Sequence, residues 1–377
     1  MTSRILALVL TASLLAAGGL SAAAPTADAT DAWRFGVAFT RSVWEGEQRV
    51  PQSLGDYDLA PLKVGWYSDW GYNATPAQSR DQVPLEYVQL VMVRDSAWPP
   101  AWSGVQAAVQ ANRGALWLIG NEPECPNQGN LTPQVYAERF HQVRTAILGW
   151  DSTAHIGIGG VVEPTPLRLR WLDATLEAYQ TQFGHPMTDD IDVWNIHMQI
   201  LPEGPGNGGA GEPVGITFQP GEPRQYALAD CANVDLFKTL VRAFRTWLEA
   251  KGERDKPLII SEMGVLMPSY LLVEDTGLSE PERIELGDRL IEQFMVRVFD
   301  WLLEARSAST GCTVDDNLLV QRWLWFSLND SFYDETTQRG FNGALYDYAS
   351  GRLTRFGQRM VAYRSQTRRV FLSLIER

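Results

Sequence analysis

Residues 116–125, LWLIGNEPEC, join a run of apolar side chains directly to a polar turn. The first four side chains suit a strand that is buried on both faces, as the strands of a parallel sheet are. Gly120 ends the run, and Asn121, Glu122 and Glu124 follow at once. In a parallel sheet covered by helices, residues that follow a strand lie at its carboxyl end, where ligands bind. The stretch therefore predicts both an α/β architecture and a functional site.

Eight apolar segments of this kind alternate with amphipathic helical segments along the chain, as in a parallel sheet flanked by helices. Eight such units within residues 30–377 match the size of a (β/α)8 barrel. An open doubly wound sheet is the alternative, but the segment RFGVAFTRSVWEG lacks the glycine-rich phosphate turn that normally follows its first strand. We therefore predict an α/β fold with one domain, a (β/α)8 TIM barrel. The predicted strands are 34–39, 62–67, 87–93, 115–120, 155–162, 192–198, 257–264 and 322–328.

Four helical segments carry recognisable ends: 103–114, 132–150, 167–184 and 233–252. Thr132 is placed to cap the second of these, and Pro133 takes the first helical position, where a missing N–H is harmless. Gly184 and Gly252 stand where a left-handed residue usually ends a helix.

The composition limits the class of protein. The chain has 377 residues, of which 45% are hydrophobic and 20% charged, so it can bury a large core. Its formal net charge of −13 argues against nucleic acid or an anionic membrane as a partner, because both repel an acidic surface. The charge favours a neutral or cationic small partner, or reflects solubility alone, and we expect a monomer.

The first 29 residues have the layout of a secretory signal peptide. Arg4 precedes an apolar run that extends to about Leu20, and small residues follow. An uncleaved membrane anchor is the alternative, although the run is short for a span of about 20 residues. We expect an exported protein that does not remain in the membrane after cleavage.

Cys125, Cys231 and Cys312 allow one disulfide in an exported protein, and the sequence leaves the pairing open. A Cys125–Cys231 bridge is one candidate, because the long Gly- and Pro-rich loop 202–231 is expected to border the site near Cys125. Three free buried thiols are the alternative. No cysteines have metal-ligand spacing, and the four histidines form no HExxH motif, so we expect neither a metal nor another cofactor.

Two glutamates are the candidate catalytic residues. Glu122 follows the fourth predicted strand, and Glu262 follows the apolar residues of the seventh. Both would reach the same face of a barrel. A pair of carboxylates about 5 Å apart suits retaining glycoside hydrolysis, in which one attacks the sugar while the other donates and recovers a proton. Mutual repulsion separates their pKa values, so that one stays protonated while the other is ionised.

These residues resemble the glycoside hydrolases of clan A, which share GNEP at the end of the fourth strand and a second Glu at the end of the seventh. The resemblance implies that Glu122 is the acid/base, that Glu262 is the nucleophile and that Asn121 binds the sugar 2-hydroxyl. Within the clan, WYSDWG at 66–71 and GNEPECPNQGNLTPQVYAERFHQVR at 120–144 are similar to glycoside hydrolase family 128, known for β-1,3-glucan hydrolysis. Glu124 stands where that family usually has Asp, and NIHMQI replaces its common HWY.

Other polar and aromatic residues follow the predicted strands and complete the candidate site. His197 is expected to bond the substrate or the nucleophile; a core histidine satisfied by a neighbouring strand is the alternative. Trp325 is expected to form the floor under a sugar, and one or two of Trp66, Tyr67 and Trp70 to stack on sugars. Glu124, the nearest rival of Glu122, is expected to be a rim or hydrogen-bonding residue. The candidate partners for sugar hydroxyls are Asp69, Asn195, Asn329, Asp330 and, more weakly, Gln199.

The sequence therefore predicts a secreted retaining glycoside hydrolase that cleaves a β-linked polysaccharide or oligosaccharide, with β-glucan favoured. A clan A enzyme for xylan, mannan or galactan is one alternative. A carbohydrate-binding barrel without activity is the other, although a pure binder has no need for two catalytic glutamates.

Overall fold

The computed structural model describes residues 27–203, 209–219, 226–274 and 277–375, with side chains described from residue 31 to residue 365. The predicted signal peptide, residues 1–29, lies almost entirely outside the described residues. Thirteen strands and seven α-helices are present in this described part of the chain. The strands are β1 (Phe35–Ala38), β2 (Ser42–Glu45), β3 (Gln48–Pro51), β4 (Trp66–Ser68), β5 (Glu86–Tyr87), β6 (Gln89–Val91), β7 (Leu116–Ile119), β8 (His155–Ile158), β9 (Trp194–Met198), β10 (Leu258–Met263), β11 (Arg322–Trp325), β12 (Tyr346–Asp347) and β13 (Arg352–Leu353). The helices are α1 (Ala27–Arg34), α2 (Trp102–Ala111), α3 (Pro133–Trp150), α4 (Pro166–Phe183), α5 (Val234–Ala250), α6 (Glu280–Glu304) and α7 (Arg355–Ile375).

Nine strands pair in parallel and form two sheets. One sheet has the order β5-β4-β1-β11-β10-β9, and the other has the order β6-β7-β8. Only Val88 separates β5 from β6, and two isolated parallel bridges, Gly157 to Val193 and Val161 to Ile196, link the region of β8 to that of β9. The predicted α/β architecture with a parallel sheet is confirmed. Two antiparallel hairpins, β2–β3 and β12–β13, were not predicted.

A parallel strand overlaps every predicted segment, and the reason is burial on both faces, although β4 covers only the end of the predicted segment 62–67 because Leu62 lies in a 3-10 turn. The larger apolar cluster includes Val37, Tyr67 and Trp117, and it also holds buried side chains of helices α2 to α7. A smaller cluster on the opposite face takes alternate residues of the same strands. The members of the smaller cluster are Ala38, Trp66, Val88, Leu90, Leu116, Leu118, Ile259, Leu324 and Phe326.

The helix ends follow the predicted signals. The Thr132 hydroxyl accepts a bond from the Val135 N–H at 3.4 Å, and Pro133 is the first residue of α3. Gly184 closes α4 with a φ of 79°. Among the helices that the structure describes, none is long and apolar enough to span a bilayer.

Candidate functional site

The two candidate catalytic glutamates lie together at the carboxyl ends of β7 and β10. One carboxylate oxygen of Glu122 and one of Glu262 lie within 4.8 Å of each other and of a ring nitrogen of His197. The glutamate side chains are buried, with 6% and 7% of their surface exposed. The predicted meeting of the two carboxylates at one edge of the sheet is therefore present in the structure.

A β-bulge directs Glu262 toward this pair. Leu258, Ile260 and Met263 all belong to the larger apolar cluster. Residues on this face are therefore two apart before Ile260 and three apart after it, so one extra residue is inserted in the strand. The pairing of β10 with β9 shifts at the same place, where Ile260 pairs with Ile196 but Glu262 pairs with His197. Strict alternation would place Glu262 on the helix-covered face with Ile260. The bulge re-aims its side chain, as bulges beside active sites often do.

Glu122 reaches the same place through a left-handed turn. Gly120 has a φ of 94°, and Glu122 itself has a φ of 38°, a conformation that non-glycine residues rarely adopt. The Glu122 N–H donates to the Gly160 carbonyl at 3.0 Å, which ties the turn to the segment after β8. Such local strain persists where surrounding bonds enforce it, and it is frequent at functional sites.

His197 lies between the two carboxylates. Its Nδ1 is 2.9 Å from Glu122 Oε1, within hydrogen-bond distance, and its Nε2 is 3.7 Å from Glu262 Oε1. Its closest partner is therefore the predicted acid/base. Gly160 makes room for the ring, because a Cβ at this position would lie 2.5 Å from His197 Cδ2. The paired glycines in HIGIGGVV were the available sequence signal for this close approach.

Burial governs the protonation of the three groups. It raises the pKa of Glu122 to about 7, against an opposing effect of the Arg168 charge. It raises the pKa of Glu262 to about 7 as well; His197 lowers that pKa and Glu122 raises it. Burial lowers the pKa of His197, which favours the neutral imidazole. Near neutral pH the glutamate pair can therefore hold a proton on one carboxyl while the other is ionised.

Trp70 contacts Glu262 directly. Its indole N–H donates to Glu262 Oε1 at 2.5 Å and lowers the pKa of that carboxyl. The Trp70 ring meets Phe326 edge-on at a centroid distance of 5.7 Å. Trp70 is thus brought to the site, and its indole N–H already has a protein partner there.

Three amide side chains near the pair keep unpartnered polar atoms within the described part of the chain. Asn121 Oδ1, Asn195 Nδ2 and the Gln199 amide oxygen are buried without a hydrogen bond. Asn195 Oδ1 accepts from the Ser261 N–H at 3.1 Å, and hydrogen bonding by the Gln199 side chain lowers the pKa of Glu262. A buried polar group without a partner costs about 1–3 kcal/mol. A ligand with several hydroxyl groups would satisfy these atoms.

The aromatic predictions need correction at three positions. Trp66 and Trp325 have no exposed surface, and Tyr67 has 1%. Trp325 donates its indole N–H to the Gly343 carbonyl at 2.8 Å, and the Tyr67 hydroxyl donates to the Ala77 carbonyl at 2.8 Å. Phe326, not Trp325, carries the aromatic ring beside Trp70. These three rings fill the two apolar clusters and offer no face to a sugar.

Two predicted hydroxyl partners are committed to the protein. Asn329 exchanges two hydrogen bonds with the backbone of Thr40 and has no exposed surface. Asp69 accepts from the Tyr87 hydroxyl at 2.5 Å and from the Gly71 N–H at 3.2 Å. Asn329 is therefore a structural residue that closes β11 onto the end of β1, and Asp69 is occupied as an acceptor.

Glu124 is not a rim residue, because it has no exposed surface, but it is a hydrogen-bonding residue, which accepts from the Val162 N–H at 2.8 Å. Its carboxylate lies 3.1 Å from Arg168 Nε, and Arg168 also contacts Glu203 and lies 4.0 Å from Glu163. Burial raises the pKa of Glu163 well above its ordinary value. Arg168 on α4 is thus the cation of a buried cluster that the sequence did not predict; its signal was a charged residue on the apolar face of a helix.

The Arg168 cluster joins the long loop to the turn that carries Glu122. Arg168 Nη2 donates to the Gly211 carbonyl at 3.0 Å, and the Val214 N–H donates to the Glu124 carbonyl at 2.9 Å. The described part of loop 202–231 therefore packs beside the candidate site, as predicted.

The predicted Cys125–Cys231 bridge is wrong, because all three cysteines are free and buried. The Cys125 thiol contacts the Ala210 carbonyl at 3.5 Å instead.

The same atoms could also bind a metal ion. Among the described residues, Glu122, His197 and Glu262 are the group whose ligand atoms lie close enough to share a cation. Two carboxylates and an imidazole suit several divalent ions. Activity in the presence of a chelator distinguishes this use of the three residues from acid/base chemistry.

The chain matches the family model described as "Glycosyl hydrolase catalytic core" over residues 39–201. Asn121, Glu122 and His197 fall within the match, and Glu262 lies beyond it. The prediction of a glycoside hydrolase is thereby confirmed. Among curated proteins, none matches the chain by sequence.

Several solved structures share the fold. A subgroup II endo-β-1,3-glucanase of glycoside hydrolase family 128 from Pseudomonas viridiflava is 18% identical, with a TM-score of 0.51, over 87% of this chain and 97% of that chain. A subgroup I endo-β-1,3-glucanase from Amycolatopsis mediterranei, solved as a variant with laminarihexaose, is 15% identical, with a TM-score of 0.50, over 87% and 98%. A subgroup III curdlan-specific exo-β-1,3-glucanase from Blastomyces gilchristii, solved with glucose, is 16% identical, with a TM-score of 0.50, over 87% and 97%. At these identities the likeness is one of fold.

Proposed function

We propose that this protein is a retaining glycosidase of β-linked glucan, with Glu122 as acid/base and Glu262 as nucleophile. The observation that carries the proposal is the pair of buried carboxylates, with oxygens within 4.8 Å of each other, at the carboxyl ends of β7 and β10. Retaining enzymes hold their two carboxyl groups about 5–5.5 Å apart, whereas inverting enzymes leave about 6.5–9.5 Å for a water molecule. The spacing here supports the retaining reaction.

The substrate class is supported by the fold and by the unpartnered amides. All three structural relatives described above are β-1,3-glucanases, so β-1,3-glucan is the substrate that we propose first. Asn121 Oδ1 and Gln199 supply buried hydrogen-bonding groups that sugar hydroxyls would satisfy. The resemblance to clan A assigns the 2-hydroxyl to Asn121.

The proposed reaction has two steps. First, the ionised Glu262 carboxylate attacks the anomeric carbon while Glu122 gives its proton to the departing glycosidic oxygen. A covalent glycosyl-enzyme forms, and the leaving sugar gains the proton. Second, Glu122, now ionised, takes a proton from a water molecule that attacks the same carbon and releases Glu262. The anomeric configuration is inverted twice and is therefore retained.

His197 is proposed to keep the pair in the state that this reaction needs. A neutral imidazole has one N–H donor and one acceptor nitrogen. With the acceptor at Nδ1, protonated Glu122 donates to the ring at 2.9 Å, and the Nε2 proton faces the ionised Glu262. This tautomer favours the proton on Glu122 and the negative charge on Glu262.

A closed (β/α)8 barrel is the architecture that we propose for the single catalytic domain from residue 30 onward. The strand segment 86–91 pairs with β4 through β5 and with β7 through β6, and two bridges join the region of β8 to β9. The smaller apolar cluster brings together residues of β1, β4, β6, β7, β10 and β11, which an open sheet would hold far apart. Both observations support eight strand positions arranged in a ring.

We also propose that the protein is exported, on the basis of the apolar segment after Arg4.

The first test is hydrolysis of a panel of glycans by the purified protein. We expect new reducing ends from β-1,3-glucan, and none, or far fewer, from xylan, mannan and galactan. EDTA should leave the rate unchanged, because the two glutamates need no metal. Cleavage of another panel member alone would change the substrate assignment, and loss of activity in EDTA would favour the metal site. Glycan binding without cleavage would favour the inactive barrel.

The pH dependence of kcat/KM should be bell-shaped, with its maximum near neutral pH. Burial raises the pKa of both glutamates to about 7, so the form with one shared proton is populated there. At lower pH the nucleophile becomes protonated, and at higher pH the acid loses its proton. With an aryl glycoside whose leaving group needs no proton, Glu122→Gln should abolish the alkaline limb and keep the acidic limb. An unchanged alkaline limb in this variant would contradict the assignment of Glu122.

A further inference from the structure

Two arginines lie on one tryptophan at the tip of the β2–β3 hairpin. The guanidinium carbons of Arg49 and Arg339 are 4.1 and 3.8 Å from the centroid of the Trp44 ring. Trp44 pairs with Arg49 across the hairpin, and Arg339 comes from the loop after β11. Arg339 Nη1 donates to the Glu47 carbonyl at 3.2 Å, which joins that loop to the hairpin.

Neither guanidinium forms an ion pair with a described carboxylate, although the charge of Arg49 lowers the pKa of the buried Asp330. Within the ranges that the structure describes, no carboxylate lies in ion-pair range of Arg49 or Arg339, whereas cations such as Arg168 and Arg355 each contact several. In a chain with 45 acidic and 32 basic residues, most arginines could find such a partner. Two adjacent guanidinium groups repel each other and present planar donors that fit a carboxylate.

The two arginines line a cleft of about 550 Å³ together with Met267, Asp330, Tyr333 and Phe341. The cleft and the proposed catalytic site are linked by packed aromatic rings. Phe341, which lines the cleft, meets Phe326 at a centroid distance of 5.8 Å, Phe326 meets Trp70 at 5.7 Å, and Trp70 donates to Glu262. The cleft therefore lies two ring contacts from the residue that bonds Glu262, on the side of the site that faces the hairpin loop.

We propose that this cleft is a sugar subsite that takes an acidic unit, a uronate whose carboxylate binds Arg49 and Arg339. The inference rests on the proposed function, because it assigns the class of glycan that extends from the catalytic pair. Met267 and Phe341 supply apolar surface for the C–H groups of the ring. Asp330 is buried, and its Oδ1 already accepts from the Ser331 N–H. The net charge of −13 is a long-range effect that salt screens, whereas the two arginines act at contact distance.

The test compares a β-1,3-gluco-oligosaccharide with the same oligosaccharide partly oxidised at C6 to carboxylates. Binding of each is measured by calorimetry on the full chain carrying Glu262→Gln, which prevents turnover. We expect the carboxylated form to bind about tenfold more tightly or better, as for hydrogen bonds to a charged group. Adding Arg49→Gln and Arg339→Gln should reduce this ratio to about one. Added NaCl should lower it in the parent protein.

The matched control carries Arg289→Gln and Arg306→Gln, which remove the same charge from exposed ion pairs away from the cleft. It should keep the preference for the carboxylated form. Equal binding of the two oligosaccharides by the parent protein, or a preference that survives loss of Arg49 and Arg339, would overturn the proposal. Failure of the proposed function is distinguishable, because the protein without Glu262→Gln would then cleave neither oligosaccharide.

Discussion

Replacing Glu262 by alanine is expected to lower the turnover of β-1,3-glucan by roughly 10⁴-fold or more, the scale on which loss of a catalytic nucleophile acts. Among the described residues, the buried group of Glu122, His197 and Glu262 contains no third carboxylate that could replace Glu262. The variant should stay folded, because burial disfavours the charge that it removes. The rate of reducing-end release, with a thermal melting curve of the same sample, gives the measurement.

Azide separates the roles of the two glutamates. In Glu262→Ala, azide fits the space left by the carboxylate and attacks the anomeric carbon from the same side, so an activated β-glucoside should give the α-glycosyl azide. In Glu122→Ala the covalent intermediate still forms from an activated substrate, and azide should then give the β-glycosyl azide. The opposite stereochemical outcomes would exchange the two roles. Near wild-type rates in both variants would remove both glutamates from the mechanism.

Replacing Arg168 by methionine is expected to lower the free energy of unfolding by about 3–5 kcal/mol at pH 8, because it leaves buried acids without their cation. Glu124, Glu163 and Glu203 all lie within 4.0 Å of this guanidinium and are almost completely buried. The loss should shrink toward pH 5. Burial already raises the pKa values of Glu124 and Glu163, and the Arg168 charge opposes this effect. Without the arginine these two pKa values rise further above their unfolded values, so the folded form gains protons and relative stability as pH falls.

Urea unfolding of wild type and variant at pH 5 and pH 8 measures this effect. Arg289→Met is the matched control, since its exposed partner Glu285 is solvated and the change should stay within about 1 kcal/mol. Adding Glu203→Gln to Arg168→Met should recover part of the stability, because one uncompensated charge is removed. A loss below 1 kcal/mol at both pH values would mean that the cluster is already neutralised by protonation. Activity should fall with stability, since the same cluster holds the turn that carries Glu122.

The approximate position of each parallel strand could be predicted from the sequence because parallel strands are buried on both faces. Runs such as LWLI and LIIS need no partner to be recognised, and each leads to a polar residue at the edge of the sheet. The same logic predicted that Glu122, Glu262, Asn121, His197 and Asn195 would collect at one end. The helix ends at Thr132 and Gly184 were equally local, since a cap is a property of a few consecutive residues.

The aromatic residues show where such reasoning fails. WYSDWG contains three rings within six residues, and only Trp70 reaches Glu262, while Trp66 and Tyr67 fill opposite apolar clusters. Alternation sends neighbouring rings to different faces, and a core needs aromatic volume as much as a sugar does. Burial depends on what packs above each residue, and those neighbours come from distant parts of the chain.

The sequence by itself determined the α/β architecture, the order of its elements and the two candidate glutamates at strand ends, because hydrophobic periodicity and strand ends are local properties. Only the tertiary structure decided how those glutamates point and ionise. The bulge after Ile260 turns Glu262 toward Glu122, and Gly160 lets His197 lie between them. Glu124 is buried and paired with Arg168, and therefore does not lie at the rim of the site. In each case the residues in contact are separated by 35 or more positions in the sequence. Such buried contacts exist only in the folded chain.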